Sequence, residues 1–435
     1  MTLSEKHKRG VLVHSARPWA AMLCGALRND PMRLSFVGVP LDAGDETRHF
    51  KLIGTTGAGK STAIRALLAQ ALARGDRALF ADPDGGYTAR LYRKYRGDII
   101  LNPFESESAR WDLFAELERP FDAEELSASL IAMGPDPAAS EWRSYARTFL
   151  TSLLRSECRS GRRNAPELWR LLSRAPVEEL RAVLQGTAAR AFLEPDNARM
   201  FGSIRAIAVA ALAAFEHLVR QRGTPFSVRA WVADGAAAGC LFLPYQARQI
   251  AALRTLIATW VRLAIFEALS GREGHDQRLW FVVDELDALG AIDGLKDALA
   301  RLRKFGGRCV LGFQSAAQVS GIYGHCDAQT IVENCGNTVI LRCSSSEQGG
   351  TSQFASRLIG EREILRRQVT RQESPWALLS RSSPARSRQM SHQQLIEPAV
   401  LASEIERLAD LRGYFKRAGA DHWRRVRIRA PAGFA

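Results

Sequence analysis

The sequence predicts an α/β protein with a mostly parallel sheet and an all-α domain inserted into it. Three observations carry this. A glycine-rich turn, "GTTGAGKS" (Gly54–Ser61), joins an apolar run to a helix-like one. Short apolar runs with β-branched residues alternate with helical periodicity before and after the middle of the chain, the pattern of parallel strands covered on both faces. From about Trp111 to Arg222 the strand signals vanish and only helical periodicity remains.

The elements follow in order. The first thirty residues are mixed and weakly periodic, with no signal peptide. "RLSFVGVPL" (Arg33–Leu41) alternates like one strand. "HFKLIG" is the strand before the glycine turn, and "STAIRALLAQALARG" is the helix after it, ending at Gly75 as a C-cap. "RALFADPDGG" is a second strand stopped by Asp-Pro and Gly-Gly, and "DIILNP" a third. The helical stretch contains "EWRSYARTFLTSLL" (Glu141–Leu154), "APELWRLLSR", "PVEELRAVLQG" and "MFGSIRAIAVAALAAFEHL". Strands resume at "GCLFLPY" (Gly239–Tyr245), "RLWFVVDE" (Arg278–Glu285), "RCVLGFQS" (Arg308–Ser315) and "NTVILRC" (Asn337–Cys343). "LRTLIATWVRLAIFEAL" (Leu253–Leu269) is cut by Arg262 and Glu267. It reads as a half-buried amphipathic helix, too interrupted to span a membrane. Arg366–Gln394, rich in Arg, Ser and Gln, reads as a mobile loop, and the chain closes on a hairpin turning near Gly419–Asp421. The resulting boundaries are 1–108 and 223–435 for two segments of a nucleotide-binding domain, with 109–222 as the inserted all-α domain.

The 435 residues suffice for a large core and two domains, and 46% hydrophobic with 24% charged residues fits a globular chain. The net charge of +14 favours an anionic partner, nucleic acid or an anionic membrane surface. The excess is arginine, however, and an arginine-biased genome explains it equally well. Seven scattered cysteines without a CxxC pair point to reduced thiols in a cytosolic setting.

"GTTGAGKS" matches the full G-x-x-x-x-G-K-[ST] pattern in its strand–turn–helix context. Backbone N–H groups from Gly54, Thr55, Thr56, Gly57, Ala58, Gly59, Lys60, Ser61 and Thr62 would cradle the phosphates of ATP. Lys60 would reach the β- and γ-phosphates, and the Ser61 hydroxyl would bind Mg²⁺. In "LWFVVDE" an apolar strand ends in two carboxylates. Asp284 would hold Mg²⁺, and Glu285 would act as general base on the attacking water. Gln314 closes the next strand, where it would touch the γ-phosphate or the water; an ordinary polar strand end is the plain alternative. "DALARLRKFGGR" brings Arg301, Arg303, Lys304 and Arg308 close together. One of these would serve as an arginine finger across a subunit boundary, or all would lie on a solvated helix face. "RLYRKYR" (Arg90–Arg96) and "HWRRVRIR" (His422–Arg429) are basic clusters interleaved with aromatics, suited to DNA or to water.

The order of these motifs resembles the type IV coupling proteins of bacterial conjugation, the TraD/TrwB-type DNA translocases. "GTTGAGKS", "ADPDGG", "DIILNPF", "WDLF", a helical insert with "EWRSYAR", "FSVRAW", "LWFVVDE", "RKFGGRCVLGFQS" and "LADLRGYF" carry it, from about Arg33 onward. The resemblance implies a RecA-like P-loop NTPase core and a homo-hexameric ring with ATP between neighbours. It also implies a motor that pumps DNA with its relaxase toward a type IV secretion channel. By position, Arg303 matches the family's trans-acting arginine and Gln314 its glutamine. Members usually begin with two transmembrane helices, and nothing before Arg33 is long or apolar enough for one. An anchorless or truncated chain, cytoplasmic or peripheral at the inner membrane, is the expectation. Two other readings stay open: a soluble FtsK/HerA-like DNA pump, and a receptor that uses ATP only to assemble. The Glu285 carboxylate speaks against the receptor.

Overall fold

The structure is a computed structural model, and it describes residues 4–15, 32–133, 136–235, 238–274, 277–346, 349–373 and 386–429. Its main sheet orders the strands as Val13–His14, Trp423–Arg427, Arg412–Lys416, Asn337–Ile340, Phe50–Ile53, Gly307–Phe313, Leu279–Val283, Arg77–Pro83, Leu241–Tyr245 and Ile99–Ile100. From Asn337–Ile340 across to Ile99–Ile100 every neighbouring pair is parallel. The C-terminal hairpin, Arg412–Lys416 with Trp423–Arg427, adds an antiparallel edge and turns where expected. The central strands are buried along their whole length, which is why they read as unbroken apolar runs instead of alternating ones.

Each face of the sheet carries its own core. One face packs Phe50, Phe80, Trp280 and Val310 against Ile64, Leu67 and Leu68 of the helix Lys60–Ala73. The other packs Leu79, Phe281 and Leu311 beneath the helix Ile250–Ala268, and this core continues without a break into the helical insert through Leu126, Phe149, Leu153 and Leu171. The insert is made of helices, the longest being Pro137–Arg159. The chain leaves and re-enters at one place, since Arg110–Trp111 pairs in parallel with Pro225–Phe226.

Three expectations are corrected. "RLSFVGVPL" is a tight hairpin, Ser35–Phe36 against Val39–Pro40. Val37 (φ 46°) and Gly38 (φ 81°) both take left-handed backbone there, the geometry of a two-residue turn that follows strand twist. The helix Ile250–Ala268 is buried on nearly all sides, because it lies between sheet and insert. Arg262 survives there by donating to Asp293 O (2.9 Å), Glu125 O (3.0 Å) and Ser129 Oγ (2.7 Å) and by lying over the Phe266 ring. The supposed loop Arg366–Gln394 belongs largely to two 13-residue strands, Glu361–Glu373 and Arg386–Pro398, paired antiparallel; residues 374–385 lie outside the described residues. The N-terminal strand Ser4–Gly10 adds to this pair, and Val13–His14 extends the main sheet, so most of residues 4–15, the described part of the weakly periodic start, is strand as well. Backbone pairing holds these polar arms, and backbone pairing leaves no apolar period to read. Among the described residues no helix is long and apolar enough to cross a membrane.

Candidate active site

The glycine turn follows Ile53, and the helix begins at Lys60 with Gly59 as its N-cap. Gly57 (φ 76°) and Gly59 (φ 111°) take left-handed backbone that other residues adopt only with strain. A side chain on Gly59 would also strike Leu411, at 2.7 Å. Leu411 is itself left-handed (φ 61°). Its N–H donates to Ala58 O (3.1 Å) and its own carbonyl accepts from Ile428 N (2.8 Å). The "LADLRGYF" segment thus fastens the C-terminal hairpin to the glycine turn.

Asp284 and Glu285 directly follow the strand Leu279–Val283, and Gln314 follows Gly307–Phe313. Parallel pairing brings all three to the end of the sheet where the glycine turn stands. Ser61 Oγ donates to Asp284 Oδ2 at 2.5 Å. Thr56 Oγ1 donates to Gln314 Oε1 (2.9 Å), and Gln314 Nε2 lies 3.5 Å from Glu285 Oε1. Lys60 Nζ donates to Gly54 O (2.7 Å) and Thr55 O (3.2 Å). Burial lowers the Lys60 pKa, countered by Asp284 and Glu285. Burial first, then the charges of Asp284 and Asp287, raises that of Glu285. A base poised upward in this way is suited to taking a proton from water.

The oxygen donors fit a magnesium ion. A hydroxyl and a carboxylate meet at Ser61 and Asp284, and Asp284 Oδ1 is buried without a hydrogen-bond partner. Beside it Gly312 leaves room, since a Cβ there would lie 2.7 Å from Oδ1.

Two residues that sequence reasoning passed over complete this end. Asp82, fully buried at the end of Arg77–Pro83, accepts from Tyr87 N (2.8 Å), Thr88 N (2.6 Å) and Thr88 Oγ1 (2.5 Å). It folds the "DPDGGYT" turn so that the Tyr87 hydroxyl donates to Asp284 Oδ2 at 2.9 Å. The Asp-Pro and Gly-Gly signal marked the turn; nothing local marked its partner.

Arg303 stands elsewhere. It opens the short 3₁₀ turn Arg303–Phe305, exposed, just before the strand Gly307–Phe313. That seven-residue strand separates it from Gln314 by about 20 Å. The structure also removes Arg308 from the candidates for an exposed finger. It is buried, donating to Glu46 Oε2 (3.1 Å) and Gly306 O (2.6 Å). Glu46 in turn pairs with Arg74, and Arg74 with Asp76, which accepts from Trp280 Nε1 (2.8 Å). His49, left-handed at φ 51°, bridges the same region: Nε2 donates to Leu299 O (2.9 Å) and Nδ1 accepts from Cys309 N (3.1 Å). Burial above all, with the charges of Arg303 and Arg308, lowers its pKa to about 4.

Of the basic clusters, Arg96 is tied to Asp98 (2.6 Å) and Tyr95 is 89% exposed. In the terminal strand Trp423 and Val426 point inward, while Arg424, Arg425 and Arg427 are exposed.

Residues 33–429 match the family described as the type IV secretion-system coupling protein DNA-binding domain. The chain belongs to that family. The coupling protein TraD of Escherichia coli (strain K12) is 31% identical over 383 residues. That match covers 86% of this chain and 52% of TraD, so the chain spans about half the length of this curated relative. The conjugative coupling protein TrwBdeltaN70, in its unbound monoclinic form, superposes with a TM-score of 0.84 at 29% identity, over 98% of this chain and 94% of that one. TrwB in complex with the ATP analogue ADPNP (28% identical), and with ADP and Mg²⁺ (29%), each gives a TM-score of 0.83 over the same shares of the two chains. The RecA-like fold with its helical insert, expected of a coupling protein, is therefore the fold observed.

Proposed function

We propose that this coupling protein is an ATP-driven, DNA-stimulated translocase that connects a relaxase–DNA complex to a type IV secretion channel during conjugation. The observation that carries the reading is the hydrogen-bonded array from Thr56 through Gln314 to Glu285, beside Lys60, Ser61 and Asp284. A phosphate turn, a raised carboxylate and a polar residue between them are the parts needed to hydrolyse a phosphoanhydride with water. Residues 54–62 bind the phosphates, and Lys60 turns from its two carbonyls to the β- and γ-phosphates. Ser61 and Asp284 hold Mg²⁺, which supplies charge neutralisation on the phosphates when bound. Glu285 takes the proton of the attacking water, and Gln314 orients that water. Arg303 serves a neighbouring subunit's site in a homo-hexamer, a role supported by its exposed place at the end of the sheet away from its own glycine turn.

In this reading 109–222 is the inserted all-α domain and 1–108 with 223–435 the nucleotide-binding domain, a division supported by the adjacent exit and re-entry strands. The exposed arginines of the terminal strand and Tyr95 are candidates for phosphate and base contacts with DNA. The protein works in the cytoplasm, at the cytoplasmic face of the inner membrane. Steady-state ATP hydrolysis with and without single-stranded DNA, at low and moderate salt and beside Lys60→Ala, tests it. Salt-sensitive stimulation by DNA, absent in Lys60→Ala, is expected. No hydrolysis in any condition overturns the motor.

A further inference from the structure

We propose that Tyr87 is a positioning residue of the metal half of the site: its hydroxyl fixes the Asp284 carboxylate in the orientation a divalent cation needs. This rests on the nucleotide-site reading above. Three contacts confine Asp284. Ser61 Oγ and Tyr87 Oη converge on Oδ2, at 2.5 and 2.9 Å. Gly312 backs the same residue so closely that a Cβ would lie 2.2 Å from the Asp284 carbonyl. With Oδ2 occupied by two hydroxyls, Oδ1 is the buried oxygen left without a partner.

The phenol is held as firmly as the carboxylate. Tyr87 is 1% exposed and stacks on Phe80 (5.5 Å between centroids), which stacks on Phe242 (4.8 Å). Phe80 and Phe242 belong to paired strands of the sheet. At the other end Asp82 accepts the Tyr87 and Thr88 N–H groups, setting where the ring enters. A phenol that served packing alone would need no such aim, since Phe would stack equally well. The arrangement differs from a direct ligand: Tyr87 touches the carboxylate and not the cation. Groups that hold a metal's ligand typically account for about 10–100-fold in metal affinity. Asp284 engaged by two hydroxyls also suits magnesium, which keeps several of its own waters.

The test is ADP binding to the full chain, by calorimetry, in EDTA and across a Mg²⁺ titration, without turnover. Tyr87→Phe keeps the ring and removes only the hydroxyl, and its thermal unfolding midpoint reports whether the fold is intact. The expected result is unchanged ADP affinity in EDTA with a Mg²⁺ midpoint raised about tenfold. An unchanged Mg²⁺ midpoint overturns the proposal and leaves the nucleotide site standing. So does an equal loss of affinity with and without Mg²⁺, which marks a packing role. If the wild-type chain shows no Mg²⁺ dependence, the assignment of Ser61 and Asp284 fails first and Tyr87 with it.

Discussion

At the carboxyl end of the central sheet, charged and polar groups face one crevice: Lys60, Ser61, Asp284, Glu285 and Gln314. At the amino end of the same strands they are closed inward: Arg74, Glu46, Asp76 and Arg308 satisfy one another under cover, and His49 bonds the backbone of Leu299 and Cys309. Arg303 is exposed there beside Lys304, on a turn anchored on one side through His49 and Leu299 and on the other through Arg308 and Gly306. The difference teaches how a parallel sheet divides labour. Strand ends that receive a ligand turn their polar side chains to one crevice and hold them in place there. The ends that hold one arginine in place use up their charges on each other.

Breaking the open end should have the largest effect. Glu285→Gln is expected to abolish turnover, a loss of about 10³-fold or more, while ATP still binds in an equilibrium assay. Normal hydrolysis by that variant would remove Glu285 as the base. Next in size is Arg303→Ala, with about 10³-fold lower kcat in assembled rings. Mixing it with Glu285→Gln should restore some activity under the proposal that each site draws on two subunits. Absence of complementation would place the finger elsewhere.

The closed end should answer in stability. Glu46→Gln leaves Arg308 and Arg74 short of a buried partner and should cost about 3 kcal/mol in denaturant unfolding, with the ADP dissociation constant unchanged. His49 sharpens the contrast through pH. Its folded pKa of about 4 lies below the unfolded value near 6.5, so the unfolded chain binds the proton first as pH falls. Stability is full above about pH 6.5 and is lost toward pH 4, by about 3 kcal/mol in all; His49→Gln should flatten that slope. The smallest effect belongs to the open end. Glu285 titrates above the ordinary carboxylate range, so kcat/KM should fall on its acid side at a higher pH than a free glutamate would give. Asp287→Asn removes one cause and should move that limb down in a pH–rate profile.

The contrast also explains what could be read from the chain. The placement of the glycine turn, Asp284–Glu285 and Gln314 at one end of the sheet was legible because it needs only neighbours in sequence, plus the parallel order that alternation implies. Tyr87 was not, since its partner lies 197 positions away and nothing local to "GGYT" indicates a carboxylate. Arg308 read as one of four surface cations, because composition does not tell a satisfied buried arginine from a solvated one. The hairpin Glu361–Glu373 with Arg386–Pro398 was missed for the opposite reason: its order comes from main-chain pairing, which any polar sequence can supply.

The joined core beneath Ile250–Ala268 bears on how such a chain can be altered. By its connections the insert is a cassette, its two stems lying side by side at Trp111 and Phe226. By its packing it is a foundation. Closing the stems over a short linker would take away Ser129 and Glu125, the partners of Thr259 and Arg262, and uncover part of a helix that is otherwise buried, a surface prone to aggregation. Swapping inserts between relatives, or trimming one, therefore calls for carrying the underlying helix along or recoating its outer face with polar residues.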